Sequence, residues 1–216
     1  MEWLRENGHE LGWHHHSYKE EKGRWIQNTD ERTICEDLLK YGETAKKYNL
    51  EIARMGWGFH TNATMRLLDD MKFVIDSSAI PRPNYPWELS KKDWSGTTNA
   101  AYCPSREDYR RPGNSHLAIL EIPITTVSLS LPTDSHPNVL RYINPGYKAH
   151  YFSRCIEQAT NLENLVLIMH PYELCANKPH NLLSFDVKIF EANMQYLVET
   201  GCHFQTLSNI TVNGKI

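Results

Sequence analysis

The chain has 216 residues, 40% hydrophobic and 23% charged, a globular composition that excludes a disordered tail, a collagen-like rod and a disulfide-knotted miniprotein. Its formal charge is −3 with a pI near 6.4, and no Lys/Arg stripe is present of the kind that binds a phosphate backbone, so nucleic acid is not an expected partner. The five cysteines are scattered, odd in number and include no CxxC pair, so neither a thiolate zinc site nor a disulfide framework is indicated and they read as mostly reduced core thiols.

In chain order, Met1–Gly8 reads as the end of a helix stopped at Gly8, followed by a short strand from Glu10 to His16. Asn28–Tyr48 reads as a helix, with Asn28 able to cap it and Ile34, Leu38, Ala45 and Tyr48 near helical spacing. A strand Leu50–Ala53, the turn Gly56-Trp57-Gly58, a helix capped near Thr61 with Met65, Leu68 and Met71 inward, and a strand Phe73–Asp76 continue an alternation of strand and helix. Residues 80–113, rich in Pro, Asn, Tyr and Trp, read as a long irregular loop of the kind that lines a site.

Beyond it come a strand Leu117–Ile124, a helix Gly146–Thr160, and the apolar run Leu165–Met169, read as a buried strand ending at His170. A helix Phe185–Thr200 presents Ile189, Phe190, Leu197 and Val198 on one face, and a last strand lies around His203–Thr206. The pattern predicts a single α/β domain over 1–216 with a parallel sheet, open or closed into a barrel, and functional groups at the strands' C-terminal ends. No apolar run reaches the roughly twenty residues that span a bilayer. The first residues lack the shape of a secretory signal, so the chain as written is expected in the cytoplasm; an upstream signal would send it to the envelope or outside.

Several residues carry possible chemistry. Because strand side chains alternate, His14 and His16 project to the same side and can converge on one metal, a catalytic zinc normally taking three protein ligands and an open position. Three solvated histidines at a strand end is the plainer account. His170, held at a strand end by Pro171, suits a general acid that protonates a leaving amine, or equally a hydrogen-bonded structural histidine. Arg54 and Asp76 end successive predicted strands and can enter the same mouth, unless they form an ordinary ion pair. Asp93-Trp94 offers a polar contact and a stacking platform for a sugar ring, or a loop anchor; Trp57, Tyr85, Trp87 and Tyr102 add aromatic surface to a candidate substrate-binding region.

Taken in order, Gly8-His9-Glu10-Leu11-Gly12-Trp13-His14-His15-His16, Arg54-Met55-Gly56-Trp57-Gly58, Asp76-Ser77-Ser78, Asp93-Trp94, Leu120-Glu121-Ile122-Pro123 and Met169-His170-Pro171 resemble the polysaccharide deacetylase family, carbohydrate esterase family four. The resemblance implies a distorted (β/α)7 barrel holding zinc or another divalent metal on an aspartate and two histidines. It also implies hydrolysis of N-acetyl groups from an N-acetylated glycan or amino sugar, with an aspartate taking the proton of the attacking water and a histidine protonating the amine. By position His14 matches the first histidine ligand and His170 the acid. The common pattern places the second ligand where this chain has Tyr18, while a His-x-His variant is met by His16. Arg54 matches the arginine beside the catalytic aspartate, and Asp76 a strand-end acid of the variant group.

The chain departs from the pattern at the front, where the family's first strand carries an Asp pair that should precede residue 1. The expectation is therefore a barrel incomplete at its N-terminus. Asp69-Asp70 lies inside a predicted amphipathic helix and reads as solvated helix surface instead. Two other readings use the same residues: a catalytically dead carbohydrate-binding domain, and an amidase or deformylase acting on a non-sugar amide.

Overall fold

A computed structural model describes residues 1–84, 88–134, 136, 138–175 and 180–210. The chain divides into two compact units, Met1–Pro123 with the tail from Thr206, and Ile124–Gln205.

The first unit is built on a parallel sheet. Strands β1 (Trp13–His15), β4 (Ile52–Met55), β5 (Ile75–Asp76) and β6 (Leu120–Glu121) lie in that order, every neighbouring pair parallel. Parallel neighbours need crossovers, which α2 (Glu31–Lys47) supplies between β1 and β4 and α3 (Asn62–Asp70) between β4 and β5. Ile34, Leu38 and Ala45 of α2 and Met65 and Leu68 of α3 are buried, and the two helices pack on each other. Each helix begins at a side-chain cap. Thr61 and Thr64 exchange hydrogen bonds in a capping box, while Asp30 accepts from the Thr33 amide at 2.8 Å. Asn28, the expected cap, lies two residues ahead of the actual one and accepts the Asp30 N–H at 3.0 Å, while the Asp30 side chain is the one that reaches the Thr33 amide. A short helix α1 (Glu2–Glu6) precedes β1, and Gly8 takes a φ of 79° at its stop. Between β1 and α2 stands a hairpin, β2 (Tyr18–Glu21) and β3 (Arg24–Gln27), which the sequence reading did not contain.

The second unit holds an antiparallel pair, β7 (Thr126–Ser128) and β8 (Leu140–Tyr142), with α4 (Ala149–Ala159) and α5 (Val187–Glu199). Val127, Leu129, Ile143, Phe152, Ile156 and Leu197 make its core. On α5 the inward positions are Asn193 and Leu197, while Val198 is exposed; Asn193 is retained inside because its amide donates to the Pro145 and Tyr147 carbonyls at 2.8 and 2.7 Å. Leu165–Met169 is not a strand and makes only scattered backbone contacts: Val166 accepts from Thr125 and Ile168 donates to Ile143. His203–Thr206 is likewise not a strand, and a 3₁₀ turn follows at Leu207–Asn209. Among the described residues the structure is thus mixed α/β, with a parallel four-stranded sheet and five α-helices, none long and apolar enough to cross a membrane. The cysteines are free, and of the five only Cys155 is buried.

Candidate functional site

The parallel register decides what meets at the sheet's C-terminal edge. His14 lies beside Arg54, Ala53 beside Asp76, and Asp76 beside Glu121. Strand alternation sends His15 inward, where burial lowers its imidazole pKa, and sends His14 and His16 outward together.

The two outward imidazoles converge. Nε2 of His14 and Nε2 of His16 are 2.8 Å apart with the rings at 87°, and Nδ1 of His14 lies 2.9 Å from the Arg54 carbonyl oxygen. A carbonyl oxygen only accepts, so His14 Nδ1 carries a hydrogen and its neutral form presents a lone pair at Nε2. A backbone carbonyl fixing the tautomer in this way is what metal-ligating histidines ordinarily have. Seating the His16 ring requires Gly56, because a β-carbon there would lie 2.0 Å from His16 Nδ1. The donor set therefore suits two ligand positions of a zinc-type site; among the described residues no third His, Cys, Asp or Glu joins them.

Aromatic rings continue from the pair. Tyr18 lies 4.6 Å from His16, 5.0 Å from Trp57 and 6.4 Å from Trp25, centroid to centroid, and Trp25 is largely exposed. Trp57 holds a φ of 55°, a left-handed conformation uncommon for a bulky residue, in the 3₁₀ turn Gly56–Gly58 that directly follows β4.

Behind the histidines is a sealed polar cluster. Asp76 and Glu121 are both 0% exposed, and His60 Nε2 lies 3.2 Å from Asp76 Oδ2. The Ser78 hydroxyl donates to Asp76 Oδ1 at 2.7 Å while accepting the Met55 N–H, and Glu121 Oε1 accepts the Ala79 N–H at 3.0 Å. Burial, then the Asp76 charge and its hydrogen bond, push the Glu121 carboxyl well above its ordinary pKa. For Asp76 burial acts upward too, but His60, Glu121 and Ser78 outweigh it and leave the carboxyl below its ordinary value. Two carboxyls this close cannot both ionise freely, and burial with the Asp76 neighbour moves Glu121 upward while the polar neighbours of Asp76 move it downward. Arg54 reaches Ser77 at both its carbonyl (2.7 Å) and hydroxyl (2.8 Å); burial lowers its pKa, opposed by the Asp76 and Glu121 charges.

The remaining candidates are distributed differently. Trp94 is 1% exposed, its indole N–H donating to the Gly58 carbonyl at 2.6 Å and its ring edge-on to His60 and Tyr109, so it anchors the long loop and offers no face to a sugar. Asp93 is bound by Ser95 and by Arg110 at 2.7 Å. Tyr102 is buried, bridging to Glu121 through the backbone and donating to the Tyr109 carbonyl. Tyr85 and Trp87 lie outside the described residues. His170 belongs to the second unit, its side chain 48% exposed and its Nδ1 3.4 Å from Glu173 Oε1.

Sequence reasoning placed Tyr18 only at the second-ligand position of the resemblance and gave His60, Glu121 and Glu173 no role in the site. Glu121 had a signal: a single carboxylate inside the apolar run Ile119–Ile124. No family model, no curated protein and no solved structure matches the chain.

Proposed function

We propose that this chain carries the chemistry of a metal-dependent hydrolase of the polysaccharide deacetylase type, which removes N-acetyl groups from a glycan or amino sugar, and that its parallel sheet belongs to a distorted (β/α)7 barrel. Two things support the reading: the ordered motifs from Gly8 to Pro171, and the convergence of His14 Nε2 and His16 Nε2 to 2.8 Å. The convergence carries it: the two ring nitrogens share a hydrogen bond, and giving up that one proton would turn both lone pairs toward a single cation.

His14 and His16 would hold zinc or another divalent cation, with further positions left to water, substrate or ligands outside the described residues. Such a cation supplies Lewis acidity to the amide carbonyl and to water. The Arg54 carbonyl keeps the His14 ring oriented, and Gly56 leaves room for His16. Trp57 and Tyr18 offer aromatic surface to a sugar ring beside the pair. Asp76 is sealed from solvent and so acts through its neighbours, holding Ser78 and with it the Met55 amide at the β4 end. The resemblance assigns the proton of the leaving amine to His170, whose imidazole is half exposed.

The test is acetate release from N-acetylated chito-oligosaccharides with added zinc and with chelator, for this chain and for any longer form its gene encodes, beside H14A, H16A and H170A. Release that depends on metal and is lost in all three variants supports the reading. A protein that binds these sugars without cleaving them would replace it with a binding role, and release from formylated or other non-sugar amides alone would move it to an amidase.

A further inference from the structure

The second unit contains a buried carboxylate with no part in the assignments above. Glu173 is 3% exposed and sits in the 3₁₀ turn Pro171–Leu174, directly after His170. Its two oxygens have different neighbours. Oε2 accepts the His170 backbone N–H at 3.0 Å and the Asn144 side-chain N–H at 2.8 Å. Oε1 faces His170 Nδ1 at 3.4 Å. The Glu173 backbone N–H donates to the His170 carbonyl at 2.9 Å and also lies in capping-box reach of the His170 side chain, so it competes with Oε1 for Nδ1. The Asn144 amide is itself oriented, because its Oδ1 accepts the Gly146 N–H at 2.7 Å, which leaves Nδ2 as the atom facing the carboxylate. Tyr172 stacks on the His170 ring with centroids 5.4 Å apart and limits its rotation.

We infer that Glu173, held in place by Asn144, is the positioning residue of His170: it accepts the Nδ1 hydrogen and leaves Nε2 as the atom that takes up and releases a proton. This rests on the reading of His170 as a proton-transfer residue, but the arrangement itself can be tested without activity. Both donors to Oε2 are fixed, so in a Glu173→Gln variant the amide must place its oxygen at the Oε2 position to satisfy them. Its NH2 then occupies the Oε1 position and donates to His170 Nδ1. An N–H aimed at Nδ1 selects the opposite tautomer, hydrogen on Nε2, while every other hydrogen bond of the turn persists. The substitution thus inverts the histidine's polarity without removing a contact.

The experiment is long-range 15N–1H correlation of the histidine rings in the full chain labelled at histidine, with H170Q assigning the resonances. Neutral His170 is expected as the Nδ1–H tautomer in the wild type and as the Nε2–H tautomer in E173Q, with the backbone amide spectrum of E173Q otherwise retained. A wild-type ring with its hydrogen on Nε2, or a tautomer unchanged by E173Q, overturns the proposal. E173D, whose shorter side chain retracts the acceptor, should give a mixture of tautomers; a pure Nδ1–H form there also counts against it. If the tautomers invert as expected and the wild type releases no acetate, the positioning role stands and the hydrolase reading fails on its own.

Discussion

Asp76 and Glu121 face one another directly across the β5–β6 ladder with both carboxyl groups sealed from water, and the two are displaced in opposite directions, Glu121 upward and Asp76 downward. Glu121 titrates higher in the folded than in the unfolded chain, so stability declines as pH rises from the unfolded glutamate value of about 4.3 toward the raised folded one. Asp76 titrates lower when folded, so its contribution is present above about 3.9 and disappears as pH falls through its depressed value. E121Q keeps the acceptor for the Ala79 amide and presents an N–H where the protonated acid presented its hydrogen. The variant should therefore resemble the wild type near pH 5 and exceed it in stability increasingly as pH rises above that. Thermal midpoints from pH 5 to 9 check this, and parallel curves for the two proteins would sink the account of a raised Glu121.

Gly56 and His16 set a second expectation. A methyl group at 56 would fall 2.0 Å from His16 Nδ1 and 2.2 Å from its Cγ, so the ring must leave and the His14–His16 convergence goes with it. Gly56 does not have a positive φ, so G56A introduces no backbone strain there. Zinc affinity in G56A should fall by about 10–100-fold, with the unfolding midpoint little changed. Titration calorimetry of wild type, G56A and H16A settles it: equal affinity in wild type and G56A would mean that the pair does not hold the ion.

The hairpin makes a local prediction. Lys22 and Gly23 are the two turn residues between β2 and β3, with φ of 51° and 75°. A β-carbon at Gly23 meets nothing, so G23A isolates the cost of the left-handed backbone, about 1 kcal/mol. K22N, placing the residue that best tolerates this conformation, should add a few tenths of a kcal/mol. Because Tyr18 and Trp25 stand on this hairpin beside Trp57, G23A should also alter tryptophan fluorescence, which a silent turn would not.

What the sequence reveals depends on how local the cause is. Helix α2 and helix α3 announce themselves through Ile34, Leu38 and Ala45, and through Thr61 followed by Met65 and Leu68, since packing there repeats at the helical period. The His14–His16 pairing follows from strand alternation alone. Hairpin β2–β3 carries no such pattern: Tyr18–Glu21 is exposed throughout, and its register is set by a two-residue turn. Glu173 and Glu121 owe their environment to partners distant in sequence, Asn144 and Ala79, which no local window contains. Trp94 gives the loop its anchor through the Gly58 carbonyl, and an aromatic residue in a polar stretch carries the same signature whether it faces a ligand or the core.

Asp69 shows how such a distant partner turns an expected surface residue into a structural one. Its place in α3 suggested a solvated carboxylate, yet it is 8% exposed and its Oδ1 accepts two backbone N–H groups, from Ala118 and Ile119, at 2.8 Å each. Those amides lead into β6, so the side chain ties the helix end to the strand that delivers Glu121 to the sheet. D69A strands both donors and should cost about 3 kcal/mol, whereas D69N keeps a neutral acceptor oxygen and should cost about 1 kcal/mol. Chemical denaturation ranks the three proteins. Slowed exchange of the Ala118 and Ile119 amides in the wild type should be lost in D69A and largely kept in D69N; a D69A chain as stable as wild type, with those amides still protected, would show that β6 is held without it.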